Sequence, residues 1–295
     1  VVRDTGLATL LARLPGRIGF SFAMLAASAP ALSSPPYRPR GTGARATVAT
    51  LLGCVMQGLF DHVNRATART LAENDYRVVP APGQACCGAL HAHAGDLDTA
   101  RALARANIAA FERSGADYVA VNASGCGLMM KEYGHLLSGD SAWAARAASM
   151  AARTRDMSEL LAAAGPATGA PLPLRVAYDA PCHIIHGQHL VREPLAVLAA
   201  VPALTLTTLP NADQCCGSAG IYNLVQPELA QRVLDPKLDE IARDGASFVA
   251  TGNPGCMMQI GAGLRRAGIA ARAVHPVEVL DASYARAHGA SQPDR

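Results

Sequence analysis

Short apolar runs alternate with stretches of helical periodicity along most of the chain. Residues 46–52 read Ala-Thr-Val-Ala-Thr-Leu-Leu, a continuous β-branched and apolar run typical of a buried strand. Gly53 and Cys54 close it. Over 55–74, Val55, Leu59, Val63, Ala66 and Leu71 recur at near-helical spacing and predict one helix. The pattern then predicts a strand at 76–80, a long helix over 97–114 and a buried strand over 118–122. Helices over 128–137, 141–152 and 158–164 complete the first half. The second half repeats the grammar, with strands at 174–178, 204–209 and 248–251 and helices over 190–200 and 227–244. Such alternation predicts an α/β fold with small parallel sheets flanked by helices.

The first 44 residues depart from this pattern. A short helix is expected over 7–14, interrupted by Pro15-Gly16. The stretch 18–32 is apolar and rich in small residues, and Arg13 and Arg17 precede it, so it imitates the core of a signal peptide. It is shorter than the ~20 residues a membrane span needs. A buried or partner-facing helix is therefore expected, with a targeting or membrane role as the other reading. Pro35, Pro36 and Pro39 mark 33–43 as an extended linker. The chain opens on Val1 rather than Met, which raises the expectation of a truncated N-terminus. Three segments result: a connector over 1–44, a first cysteine-rich module over 45–165 and a second over 166–295.

The cysteines make the two modules a duplication. Two Cys-Cys-Gly triplets, Cys86-Cys87-Gly88 and Cys215-Cys216-Gly217, each have one cysteine upstream (Cys54, Cys182) and one downstream (Cys126, Cys256). Matching cysteines are offset by 128, 129 and 130 residues, and none of the eight is left over. Ser158-Glu159-Leu160 and Val277-Glu278-Val279 echo each other near the two ends. In open α/β sheets ligands gather beyond the carboxyl ends of the strands. Every cysteine follows a predicted strand, so three loops per module should converge on one sheet edge. A disulfide framework suits short secreted chains, and adjacent cysteines are awkward disulfide partners. Buried thiols are the bland reading of any single cysteine, but not of eight in duplicate register.

Composition narrows the chemistry. Charged residues are 17% of the 295, against about 25% in soluble proteins generally, which suggests surface covered by a partner. A net charge of +3, with no basic run interleaved with aromatics, argues against nucleic acid. No Gly-rich nucleotide loop occurs. Four thiolates from three loops suit Zn²⁺ or an iron–sulfur cluster. Structural zinc usually takes short Cys-x-x-Cys knuckles, which are missing here. Adjacent cysteines point in different directions and suit neighbouring irons, and the glycines beside them let backbone amides approach sulfur. An iron–sulfur cluster on Cys54, Cys86, Cys87 and Cys126, and another on Cys182, Cys215, Cys216 and Cys256, is the expectation, with zinc in one module as the alternative.

A twice-repeated Cys…Cys-Cys-Gly…Cys plan resembles the paired cysteine-rich (CCG) domains of the heterodisulfide reductases and their relatives. The strings GQACCGALHAHAG, NASGCGLMMKEYGHLL, APCHIIHGQ, CCGSAGIYNLVQPELA and NPGCMMQI resemble the glycolate oxidase (glycolate dehydrogenase) iron–sulfur subunit over most of 45–285. The resemblance implies an electron-transfer subunit working with flavin-bearing partners in a complex that oxidises glycolate to glyoxylate. It implies 4Fe-4S clusters, no catalytic residue on this chain, and a cytoplasmic location. Peripheral attachment to the inner face of a membrane and a quinone-linked acceptor are further implications. Two departures stand out. The broader pattern ends in Cys-x-x-Cys, but positions 129 and 259 are Met and Gln, which argues against a fused, noncubane cluster. The ferredoxin-like Cys-x-x-Cys sets of the glycolate family do not occur in this sequence. The rival readings are a heterodisulfide reductase-like or lactate-utilisation redox subunit, and a zinc-stabilised assembly scaffold.

Other side chains are weighed against plainer roles. His183, His186 and His189 follow Cys182, and His91 and His93 follow the first triplet; a ligand or proton-handling role is open to them, but solvated histidines are commoner. Lys131, Glu132 and Tyr133 are expected on a solvated helix face. Met129, Met130, Met257 and Met258 suit apolar packing around the thiolates.

Overall fold

The computed structural model describes Arg3 and residues 5–289; the outermost residues of the 1–44 and 166–295 segments lie outside it. The apolar runs form eight strands in two parallel four-stranded sheets. In the first, β1 (Ala46–Thr50), β2 (Tyr76–Val79), β3 (Tyr118–Val121) and β4 (Thr154–Asp156) take the order β2-β1-β3-β4. The second repeats it with β5 (Arg175–Tyr178), β6 (Thr205–Thr208), β7 (Phe248–Ala250) and β8 (Arg272–Val274), ordered β6-β5-β7-β8. Val48 pairs with Val78 on one side and Tyr118 on the other; Val176 pairs with Leu206 and Phe248 in the same way. The fold is α/β, as expected. The edge strands β4 and β8 were not foreseen, because three residues such as Thr-Arg-Asp carry too little apolar pattern to read as a strand.

The helices correct the sequence reading in three places. The helix expected over 55–74 is two, Cys54–Leu59 and Asp61–Glu73, broken at Phe60, whose ring is fully buried. The helix expected over 128–137 starts earlier, at Ser124, and breaks after Lys131. The helix expected over 190–200 shortens to Glu193–Ala199, and a π-helical turn, His183–Gly187, follows Cys182. The long helices Leu97–Ser114 and Pro227–Asp244 are as expected, and each ends on a left-handed glycine (Gly115, Gly245) that releases the chain into the next strand. Among the described residues no helix is long and apolar enough to cross a membrane.

The two halves interlock. The last helix of the first half, Met157–Ala164, packs on Glu193–Ala199 of the second. The last helix of the second half, Pro276–Ala287, packs on Asp61–Glu73 of the first. Val48, Phe60 and Leu71 share one core with Val176, Val277 and Leu280. The echo between Glu159 and Glu278 proves to be a pair of capping boxes that start these two crossing helices. Glu159 accepts from the Asp156 amide (2.7 Å) and Glu278 from the His275 amide (2.9 Å).

The N-terminal segment is not a free linker. Its helix Gly16–Ala27 lies on Pro254–Ala267, close enough that a side chain at Gly261 would collide with Ala27. Residues 34–42 then strap the two halves together. Ser34 and Tyr37 donate to the buried Asp281, the Arg40 amide to Glu73 (2.9 Å) and the Thr42 amide to Asp75 (2.8 Å). Asp281 also receives Arg69 (Nε, 3.0 Å), a buried carboxylate satisfied from both halves.

His275, at the start of the last helix, is fully buried; its Nδ1 accepts from the Val277 amide (3.1 Å) and its Nε2–H donates to the Asn122 carbonyl (2.8 Å). Burial, helped by His62 and opposed by Glu278 and the Asn122 carbonyl, pushes its pKa from 6.5 down to about 4. The folded state holds it neutral while the unfolded chain binds a proton below about pH 6.5, so its stabilisation is lost as pH falls from there toward 4. His275→Asn, which keeps a cap acceptor, should flatten this acid limb by up to about 3 kcal/mol. Denaturant unfolding of both proteins between pH 7 and 4 checks it; Asp156, whose burial raises its pKa to about 6, titrates alike in both.

Candidate thiolate site between the two sheets

In each half the cysteines stand beyond the carboxyl ends of three strands. Cys54 follows β1 and opens the helix Cys54–Leu59; Gly53 before it has φ +65°, a conformation that favours glycine. Cys86 and Cys87 follow β2, and Cys126 lies in the first turn of the helix after β3. Cys182, the Cys215-Cys216 pair and Cys256 repeat these placements after β5, β6 and β7. The adjacent cysteines divide as their alternation demands: Cys87 and Cys216 are buried, Cys86 and Cys215 half-buried.

All eight cysteines line one cavity of about 210 Å³ between the sheets, together with apolar groups such as Val55, Met56 and Met258. The two sets therefore face each other, which their spacing along the chain did not indicate. Cys54 Sγ is 3.5 Å from Cys86 Sγ, and Cys216 Sγ is 3.1 Å from Cys256 Sγ, with every thiol free. Among the described residues no three His, Cys, Asp or Glu side chains gather around a position for a single metal ion.

These thiols hold each other's protons. Hydrogen bonding to Cys86 and burial push the Cys54 thiol up, and contact with Cys126 does the same for Cys87. Cys182 and Cys216 are raised by Cys215, while Cys215 itself is lowered by the thiols of Cys182 and Cys216, by the Gly217 amide (3.3 Å) and by Lys237. Four thiols in such contact ionise together only around a cation. A soft cationic centre that takes thiolates suits this donor set.

Buried polar side chains shape the loops. In the first half Asn107, fully buried on the long helix, accepts from the Ala85 amide (2.7 Å) and donates to the Cys86 carbonyl (2.9 Å) and Tyr133 Oη (3.0 Å). Tyr133 Oη donates in turn to the Cys87 carbonyl (2.8 Å). Tyr133 is fully buried, which corrects the expectation of a solvated face; the helix break after Lys131 turns it inward. Lys131 pairs with Glu159, and Glu132 is exposed. In the second half Lys237 occupies the place of Asn107, paired with the buried Asp179 and bonded to the Asn211 (3.3 Å) and Ala212 (3.4 Å) carbonyls. Asn107 and Lys237 escaped the sequence reading, although a polar residue on the apolar face of a long helix was a signal.

The loops of the two halves also bind each other. The Ser124 amide donates to the Gly252 carbonyl (3.1 Å), and Gln188 Nε2 donates to the Ser124 carbonyl (2.9 Å). His183 stacks on His93 across the cleft at 6.2 Å between ring centroids, with its Nδ1 3.7 Å from Cys182 Sγ. His186 and His189 are exposed and His91 contacts Asp96, so three of the five histidines take plain roles. Met129, Met130 and Met257 are buried and Met258 lines the cavity, as expected of packing groups.

The cysteine-rich domain family, CCG, matches residues 48–131 and 176–261, one copy over most of the first three strands of each sheet and their thiol loops. The chain belongs to this family. Both CCG copies hold the four cysteines of their set. The chain is 37% identical to the probable glycolate oxidase iron-sulfur subunit of Bacillus subtilis (strain 168), over 83% of this chain and 56% of that one. It is 34% identical to the glycolate oxidase iron-sulfur subunit of Escherichia coli (strain K12), over 72% of this chain and 53% of the relative. Lactate utilization protein A of an Exiguobacterium species is 30% identical over 79% of this chain and 96% of its own length. The chain thus spans about half of each glycolate oxidase relative and nearly all of the lactate utilization relative.

Removing Asn107 tests how the first CCG loop is held. Asn107→Leu leaves the Ala85 amide and the Cys86 carbonyl without their partner and should cost about 2–4 kcal/mol, whereas Tyr133→Phe should cost only about 1 kcal/mol. Equilibrium denaturation of the purified variants measures both.

Proposed function

We propose that this chain is the iron–sulfur electron-transfer subunit of an oxidoreductase complex that oxidises a 2-hydroxyacid, glycolate, to glyoxylate. Cys54, Cys86, Cys87 and Cys126 would hold one cluster of 4Fe-4S type, and Cys182, Cys215, Cys216 and Cys256 another. The convergence of all eight thiols on one apolar cleft carries this reading. Bound clusters supply one-electron transfer, while the hydride chemistry belongs to flavin on partner subunits. The chain's own residues position and insulate. Met56 and Met258 keep the cleft apolar, the Gly217 amide points at Cys215 Sγ, and Asn253 Nδ2 lies 3.5 Å from Cys256 Sγ. Exposed Leu90, Ile221 and Tyr222 near the cleft give a partner subunit an apolar surface to cover.

A second reading, a lactate-oxidising complex, is favoured by the near end-to-end match to lactate utilization protein A. Reduction by glycolate against L-lactate, with the chain co-expressed beside its neighbouring subunits, separates the two. Glycolate-dependent reduction supports the first, and reduction by lactate alone replaces it.

Anaerobic metal and sulfide analysis tests the clusters themselves. Iron with matching acid-labile sulfide is expected, and Cys216→Ser should lose about half of it. Zinc alone would make the eight cysteines a structural frame. Equal loss from both sets in the variant would show that they do not fill independently.

A further inference from the structure

The duplication allows the two thiol sets to be compared position by position. Where the first has Val55, Ala89, Ala123, Met129 and Asn107, the second has His183, Ser218, Asn253, Gln259 and Lys237. The first four exchanges each add a polar group to the second set, while the charge that Lys237 adds is balanced by Asp179, which stands where the first half has Leu51. Val55, Ala89, His183, Ser218 and Asn253 line the cleft, and Asn253 Nδ2 approaches Cys256 Sγ at 3.5 Å. Gln259 is fully buried on the helix that carries Cys256. Its Oε1 is held by Asn223 Nδ2 at 2.8 Å, while its Nε2 has no hydrogen-bond partner. That amide stands against Gly217, beside Cys216, so close that a Cβ on Gly217 would lie 3.3 Å from it. A fully buried amide donor without an acceptor costs free energy unless something at the site accepts from it.

Hydrogen bonds to sulfur and nearby positive charge favour the reduced, more negative state of a thiolate-held cluster. Solvent acts in the same sense, and the first set has the more exposed sulfur, Cys54. That single wet thiol stands against several fixed groups around the second set. On the reading of both sets as cluster sites, we propose that the second set is built as the higher-potential site of the pair. Gln259 and Asn253 are then positioning residues, tuning the site rather than ligating it. An electron shared between the two sites would rest beside Cys216 and Cys256.

The test is a redox titration of the intact, anaerobically purified chain followed by EPR, alongside iron and sulfide content. Two midpoints are expected, and Cys87→Ser should remove the lower one. Gln259→Leu should lower the higher midpoint and leave the other in place. The reciprocal Met129→Gln should raise the lower midpoint, a shift that a merely structural Gln259 would not predict. If Cys87→Ser spares the lower midpoint, or if Gln259→Leu and Met129→Gln move neither, the inference is overturned. A chain that takes up no iron and sulfide overturns instead the reading on which it rests.

Discussion

The crossing of the terminal helices between the two sheets fixes where the thiols meet. Met157–Ala164 and Pro276–Ala287 each bury an apolar face against the opposite half, and the shared core closes around them. Apolar burial of this kind is non-directional, so polar groups have to set the register. The His275 bond to Asn122 and the Ser124 bond to Gly252 join the seam directly to the loops before Cys126 and Cys256. The cleft is therefore a property of the interlocked pair, and neither sheet alone would form it.

Much of the α/β framework was legible because its central strands β1, β3, β5 and β7 are largely buried and read as short runs rich in apolar residues. The two long helices were equally plain, and each ends at a glycine, the residue that takes the left-handed conformation most easily. The edge strands were not, because Thr154–Asp156 is too short and too polar to differ from a loop. The register of the eight cysteines revealed two sets and the sheet edge each would occupy. It did not reveal that the edges face each other, because packing between modules is set by the helices that cross. Tyr133 was misread for a related reason: its neighbours Lys131 and Glu132 are polar, and only the break after Lys131 turns its ring inward. The prolines of 33–43 suggested a loose linker, but Tyr37 and Ser34 are held at a buried carboxylate from the far end of the chain.

The two halves share a backbone plan and have diverged in what surrounds the sulfur atoms. In the first half the loop before Cys86 is held by neutral groups, Asn107 and Gln84. In the second it is held by a buried ion pair, Lys237 with Asp179. An ion pair removed from water tolerates loss of one partner poorly, because the other charge is left uncompensated. The second loop is thereby the less tolerant of change, although its position in the fold is the same.

The strap of residues 34–42 has a mechanical consequence. It touches Asp281 on the last helix and Glu73 and Asp75 at the end of the helix Asp61–Glu73, along the seam where these two helices pack together. Separating the halves like a clamshell would break the strap's hold on one of them together with the Arg69–Asp281 pair, and would expose the shared core. Hinge opening is thus disfavoured as a route into the cleft. The exposed Cys54 leaves one sulfur open at the surface, so the site can be approached from there while the two halves stay locked together.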